Sequence, residues 1–244
     1  LKNPLPNNIM QEAAKRFTLI LGGARSGKST LAEKLAQTRA GKTGKVLYVA
    51  TLLPYDEEMR ERVVLHRASR PESWRTLEAP YNLADQVLAA LKGEDIVLLD
   101  CLTVWSANRL IAAMEPDLMA KVIFEEELPD EPPARSGQAG AGDTGQNNQA
   151  VPPEPKAVDY QALEHEMGAE LERLLVGLQA AGTGLVLVSN EVGMGLVPPY
   201  PLGRAYRDLL GRLNQRLAGQ ADEVFFVMAG IPVDLKRLQA EFGL

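Results

Sequence analysis

Phe17-Thr18-Leu19-Ile20-Leu21-Gly22-Gly23-Ala24-Arg25-Ser26-Gly27-Lys28-Ser29-Thr30 carries an apolar strand directly into a glycine-rich turn and then into a helix. Gly22 to Ser29 matches G-x-x-x-x-G-K-[ST], and each fixed position has a physical reason. Gly22 and Gly27 permit backbone angles and close approaches that a Cβ forbids. The successive N–H groups of Gly22, Gly23, Ala24, Arg25, Ser26 and Gly27 wrap a phosphate chain, and the positive end of the following helix adds to the attraction. Lys28 reaches the β- and γ-phosphates, and the Ser29 hydroxyl is a hard oxygen ligand suited to Mg²⁺. A glycine-rich turn that binds nothing is the bland alternative, but a strand before and a helix after supply the context that the motif demands.

Outward from this loop, four further apolar runs alternate with helical patterns. Lys45 to Ala50, Asp95 to Asp100, Leu185 to Ser189 and Glu223 to Met228 read as strands. Helices are expected at Ser29 to Ala40 with Leu31 and Leu35 on one face, from Asp56 to the stop at Pro71, around Leu83 to Leu91, and from Leu102. Two more follow, around Tyr160 to Leu178 and Tyr206 to Leu217, and the C-terminal tail also reads as helical. Continuous apolar strands separated by helices imply an α/β fold, a P-loop NTPase-like three-layer sandwich with a mostly parallel central sheet buried on both faces. Ligands of such sheets sit at the carboxyl ends of the strands. The exits of interest are therefore Gly22 to Ser29, Ala50 to Leu52, Asp100 to Thr103 and Ser189 to Gly195.

With 244 residues and 45% hydrophobic content the chain can bury one large core. We expect a single domain over residues 17–244, preceded by a flexible arm over 1–16 and interrupted by a flexible insertion at about 129–158. In that insertion prolines, glycines and Gln146-Asn147-Asn148-Gln149 replace apolar side chains. A net charge of −6 argues against nucleic acid and anionic membranes as partners. The one cysteine, Cys101, excludes an internal disulfide and a cysteine zinc cluster, which suits a reducing cytoplasm. No apolar run is long enough for a membrane span, and the first fifteen residues lack the apolar middle of a signal peptide.

Two further residues bear on chemistry. Asp100 ends an apolar strand, where a P-loop protein needs a carboxylate for its Mg²⁺ shell; capping the helix near Leu102 is its other reading. His66 stands among Arg67 and Arg70 in Val63-Val64-Leu65-His66-Arg67-Ala68-Ser69-Arg70-Pro71. Neighbouring cations favour the neutral imidazole, whose nitrogen is a nucleophile, and hold phosphate oxygens close. A lone histidine on an apolar helix face also serves plain packing, and spacing leaves both readings open. The other histidine, His165, lies between Glu164 and Glu166 on a solvated helix face.

Several segments occur together in order. They are the phosphate loop, Tyr48-Val49-Ala50-Thr51, Asp56-Glu57-Glu58-Met59, His66-Arg67-x-x-Arg70-Pro71-x-x-Trp74, Thr76-x-Glu78, Asp100-Cys101-Leu102-Thr103, Ser189-Asn190-Glu191-Val192-Gly193-Met194-Gly195, Arg207-Asp208 and Asn214-Gln215. Over about residues 17 to 236, apart from the insertion, the chain closely resembles the bifunctional adenosylcobinamide kinase/adenosylcobinamide-phosphate guanylyltransferase family of cobalamin biosynthesis. The resemblance implies that adenosylcobinamide is phosphorylated with ATP or GTP. It also implies that GMP then passes from GTP to adenosylcobinamide phosphate through a guanylylated histidine, which falls on His66. Nucleotide contacts fall on Gly22 to Ser29, on Ala50, Thr51 and Leu52, on Arg67, Ala68, Ser69 and Arg70, on Glu78 and on Asp100. Lys28 assists catalysis, and Ser29 and Asp100 hold Mg²⁺. The family's ring-like homo-oligomers imply a trimer.

Asn190 and Glu191 are candidates for meeting the corrinoid, and Arg204 and Arg207 for a phosphate or a neighbouring subunit. The insertion is longer than the family's pattern and the arm is extra, but neither touches a matched motif. Two other classes compete: a P-loop small-molecule kinase in which His66 is structural, and a non-catalytic nucleotide-dependent interaction module.

Overall fold

The apolar runs meet in one sheet. The computed structural model describes residues 16–41, 44–52, 71, 73–114 and 158–243. In chain order its elements are β1 (Phe17–Gly22), α1 (Lys28–Ala40), β2 (Val46–Ala50), β3 (Arg75–Glu78), α2 (Leu83–Ala90), β4 (Ile96–Asp100) and α3 (Leu102–Met114). After these come α4 (Tyr160–Ala181), β5 (Gly184–Val188), α5 (Pro201–Gln220), β6 (Glu223–Met228), β7 (Ile231–Asp234) and α6 (Leu235–Glu241). The expected helix at Asp56 to Arg70, the arm over 1–15 and nearly all of the insertion lie outside the described residues.

The seven strands take the order β3-β2-β4-β5-β1-β6-β7, parallel throughout except for the antiparallel β6–β7 pair. Side chains alternate between two faces, as the period of a strand requires. Leu19, Leu21, Leu47, Val49, Val97, Leu99, Leu185 and Leu187 pack with α2, α3, α4 and α5 in one cluster. Ile20, Val46, Tyr48, Ile96, Leu98, Val186 and Val188 pack with α1 in the other. Three layers result, as expected for strands that are apolar on both faces.

The buried stripe of α1 is Ala32 and Ala36, at 1% and 0% exposure, with Leu31 and Leu35 only half-buried beside it. Both leucines pack against the margin of the same cluster. Small side chains let the helix lie close to the sheet, which keeps the preceding loop tight against the strand ends. Helix α4 begins at Asp159, whose carboxylate accepts from the N–H groups of Gln161 and Ala162 at 3.0 Å each, and stops at Gly182 with φ 68°.

Two strands escaped the apolar pattern. Arg75-Thr76-Leu77-Glu78 is largely exposed and becomes β3 only by pairing with β2 at the sheet edge. The tail expected to be helical first forms β7, an edge strand that tolerates Pro232, and only then α6. The turn between β6 and β7 is Ala229-Gly230, both at positive φ as a tight two-residue hairpin demands.

Candidate active site

The phosphate loop forms where the sequence places it, at the carboxyl end of β1. A Cβ at Gly22 would lie 2.5 Å from the Val227 carbonyl oxygen and 2.8 Å from Ser26 Oγ, so only glycine fits. Arg25 and Gly27 take left-handed φ of 56° and 96° and curl the chain over itself. The turn of the β6–β7 hairpin braces this curl, because the Gly230 N–H donates to the Ser26 carbonyl at 2.9 Å. Gly23, Ala24, Arg25 and Gly27 are exposed, Ser29 is half-buried, and Ser26 and Lys28 are buried. The Ser26 Oγ has no hydrogen-bond partner among the described residues. Lys28 Nζ donates to the Gly23 carbonyl at 2.6 Å. Burial lowers the Lys28 pKa, and the nearby Cys101 and Asp100 act in the opposite direction.

A single row crosses the sheet at its carboxyl ends: Glu78 pairs with Ala50, Ala50 with Asp100, Asp100 with Val188 and Val188 with Ile20. Strand β5 thus separates the Asp100 strand from the phosphate-loop strand. From β3 to β1 the row spans four strand spacings, roughly 19 Å at about 4.8 Å each. Asp100 Oδ2 accepts from the Tyr48 hydroxyl at 3.1 Å, and no N–H of the first turn of α3 is bonded to it. The capping reading therefore has no bond to support it. The Ser29 hydroxyl and the Asp100 carboxylate are oxygen donors of the hard type that Mg²⁺ prefers.

Thr51 is fully buried. Its hydroxyl donates to the Cys101 carbonyl at 2.8 Å and accepts from the Cys101 N–H at 3.0 Å, joining the β2 exit to the β4 exit. The Asn108 amide adds a bond to the Thr51 carbonyl at 2.9 Å. Ala50 and Leu52 flank it half-buried, and Glu78 is exposed at the end of β3. The Cys101 thiol is pushed up to about 11, chiefly by burial and then by Asp100, so it is a poor nucleophile at neutral pH. Asn108 was not singled out in the sequence, and nothing local in α3 distinguishes it.

At the β5 exit, the Glu191 N–H donates to the Gly22 carbonyl at 3.1 Å and the Asn190 N–H to Thr103 Oγ1 at 2.7 Å. The loop after β5 therefore leans on the phosphate loop itself. Arg204 is committed to the loop ahead of α5, donating to the Pro198 and Pro199 carbonyls at 3.0 and 2.8 Å. His165 is exposed, as expected. His66, Arg67, Ala68, Ser69 and Arg70 lie outside the described residues. Among the described residues no group of three or more His, Cys, Asp or Glu side chains is gathered to hold a metal ion. No helix there is long and apolar enough to cross a membrane.

The model of the family described as cobinamide kinase / cobinamide phosphate guanyltransferase matches residues 18–235. This chain belongs to that family. The match takes in the phosphate loop, both exits joined by Thr51, the His66 segment and the loop after β5. The chain is 37% identical over 218 residues to the bifunctional adenosylcobalamin biosynthesis protein CobU of Escherichia coli, and equally to that of Salmonella typhimurium. In each case the match covers 89% of this chain and 98% of the relative. The bifunctional adenosylcobalamin biosynthesis protein CobP of Pseudomonas aeruginosa is 36% identical over 218 residues, covering 89% of this chain and 96% of its own. A solved ATPase domain aligns with 87% of this chain and 69% of its own at 12% identity and a TM-score of 0.43. That likeness adds nothing to the sheet order described above. Membership in the cobinamide kinase / cobinamide phosphate guanyltransferase family accords with a phosphate loop on a mostly parallel sheet.

Proposed function

We propose that the chain phosphorylates the aminopropanol hydroxyl of adenosylcobinamide with ATP or GTP, then transfers GMP from GTP to that phosphate through His66, in the cytoplasm. The observation that carries this is the family match over residues 18–235, which runs through a fully formed phosphate loop. In this reading the loop N–H groups from Gly22 to Gly27 hold the phosphates and Lys28 neutralises charge on the transferred group. The Ser29 hydroxyl and the Asp100 carboxylate would hold Mg²⁺, which would supply charge neutralisation for the phosphates. The nucleotide extends along the row of strand ends past Ala50, Thr51 and Leu52 towards Glu78, whose carboxylate accepts from guanine N–H donors. Because the Thr51 hydroxyl is bonded to Cys101, Thr51 acts here through its backbone.

In the second reaction a neutral His66 nitrogen attacks the α-phosphorus of GTP. A P–N bond forms, the P–O bond to the β-phosphate breaks, and pyrophosphate leaves, with Arg67 to Arg70 beside the charge. An oxygen of adenosylcobinamide phosphate then attacks the same phosphorus and releases His66, giving adenosylcobinamide-GDP. The chain works in this reading as a homo-oligomer, a trimer. Exposed apolar side chains, Ile231 on the edge strand β7 and Phe242 just past α6 at 66% and 75%, support self-association.

The test is to incubate the protein with Mg²⁺ and GTP labelled at the α-phosphate, denature it and measure intact mass, with His66→Ala in parallel. The expected result is an acid-labile gain of one GMP that the variant lacks, while the variant still phosphorylates adenosylcobinamide. Bound nucleotide with no adduct would instead leave a plain kinase, and binding without any turnover an interaction module.

A further inference from the structure

The acceptor of a kinase needs a place beside the phosphate loop, on a side that the nucleotide leaves open. A cavity of about 430 Å³ lies there, between the loop after β5 and helix α5, with Leu21, Glu191, Gly193, Arg207, Asp208 and Asn214 in its lining. Leu21 directly precedes Gly22, and the Glu191 N–H bonds to the Gly22 carbonyl, so the cavity and the phosphate loop share a wall. Helix α5 covers the face of the sheet opposite α1. A ligand in the cavity therefore approaches the phosphates from the side away from α1.

The chemistry of the lining is specific. Asn214 is only 4% exposed; its Nδ2 donates to the Asn190 carbonyl at 3.1 Å, but its Oδ1 is buried with no hydrogen-bond partner among the described residues. An acceptor left so is costly, and a ligand N–H in the cavity relieves it. Arg207 meets the Asp208 carboxylate only at 3.3 Å, both bonds falling on one oxygen, so its planar fork keeps donors for a carbonyl or a phosphate. Beyond Gly193 the surface turns apolar: Met194, Leu196 and Val197 are 75%, 97% and 65% exposed. Arg204 pins the far end of this shelf through Pro198 and Pro199. An amide-reading cavity whose lining residue Gly193 leads directly into an exposed apolar segment fits a large ligand with an apolar body and carboxamide arms.

We propose that this cavity and shelf bind the corrinoid acceptor. One amide-bearing arm enters the cavity and donates an N–H to Asn214 Oδ1. Arg207 donates to the arm's carbonyl or to the phosphate once formed, and the macrocycle lies across Met194, Leu196 and Val197. This rests on the proposed function and names the part of the chain that recognises its acceptor.

Steady-state kinetics with ATP and adenosylcobinamide test it, using Arg207→Ala, Arg207→Lys and Leu196→Ser with thermal melts alongside. We expect Arg207→Ala to raise the KM for adenosylcobinamide about tenfold or more, as loss of a charged hydrogen bond implies. The KM for ATP should change by less than about twofold, and Arg207→Lys should restore part of the difference. Leu196→Ser, at a position too exposed to disturb folding, should move the acceptor KM in the same direction, and it decides the matter if Arg207→Ala melts early. Unchanged acceptor KM values, or equal rises for ATP and acceptor, overturn the inference while leaving the proposed function standing. Failure of the unaltered protein to phosphorylate adenosylcobinamide overturns both.

Discussion

At Gly22 the whole site depends on the absence of one carbon atom. A methyl group there would meet the Val227 carbonyl at 2.5 Å, and since that oxygen belongs to strand backbone it cannot step aside. Gly22→Ala should therefore cost about 1–3 kcal/mol of stability and abolish nucleotide binding. Thermal melts and calorimetric titration with Mg-ATP measure the two effects, and a variant that binds normally would refute the argument. The need for glycine here was legible in the motif. The identity of the obstacle was not, because Val227 stands about two hundred residues away in the chain. Thr51 shows the same limit: its place at a strand exit could be read, but its hydroxyl turns inward to Cys101 and away from any ligand.

Among the elements, β1, α1 and β6 are locked together at the end of the sheet opposite the site. Glu223 of β6 accepts from the Thr18 hydroxyl at 2.7 Å, from Arg39 at the end of α1, and from Arg16 at 3.2 Å. Burial alone would push the Glu223 carboxyl up, but the Thr18 bond and Arg39 outweigh it and hold the carboxyl below the ordinary glutamate range. A carboxylate whose pKa falls on folding contributes stability that is complete above its unfolded pKa of about 4.3. That contribution is lost as pH drops through the folded value. Glu223→Gln should lower the melting temperature at neutral pH and flatten its decline below about pH 5, as melts from pH 7 to pH 3 would show. Part of the acid limb will remain, because Glu94 shifts in the same direction: burial raises it, and the Lys92 N–H and Arg75 override that. An unchanged acid limb in the variant would count against this assignment. The partners of Glu223 are not predictable from spacing, since Arg16, Thr18 and Arg39 are all remote from it in sequence.

For the molecule as a whole, nucleotide binding and folding are one equilibrium. A ligand that binds only the folded state, supplied at a hundred times its Kd, stabilises by about 2.7 kcal/mol. For a domain of this size that raises the melting temperature by roughly 5–10 °C. Mg-GTP should produce this shift in the unaltered chain and not in Gly22→Ala, and an equal shift in both would mean that the nucleotide sits elsewhere. The amino-acid order alone determined the phosphate loop, the central strands, most of the helices and the family, because those depend on local features: glycines at set spacing, apolar runs, capping residues. Folding in three dimensions decided the remainder. It placed β5 between the Asp100 strand and the phosphate-loop strand, recruited polar β3 as an edge, and set the alanines of α1 deepest against the sheet with its leucines at their margin. It also brought Asn214 of α5 against the loop after β5. Those outcomes come from pairing and packing between segments distant in the chain, and no local pattern of side chains encodes which of them will meet.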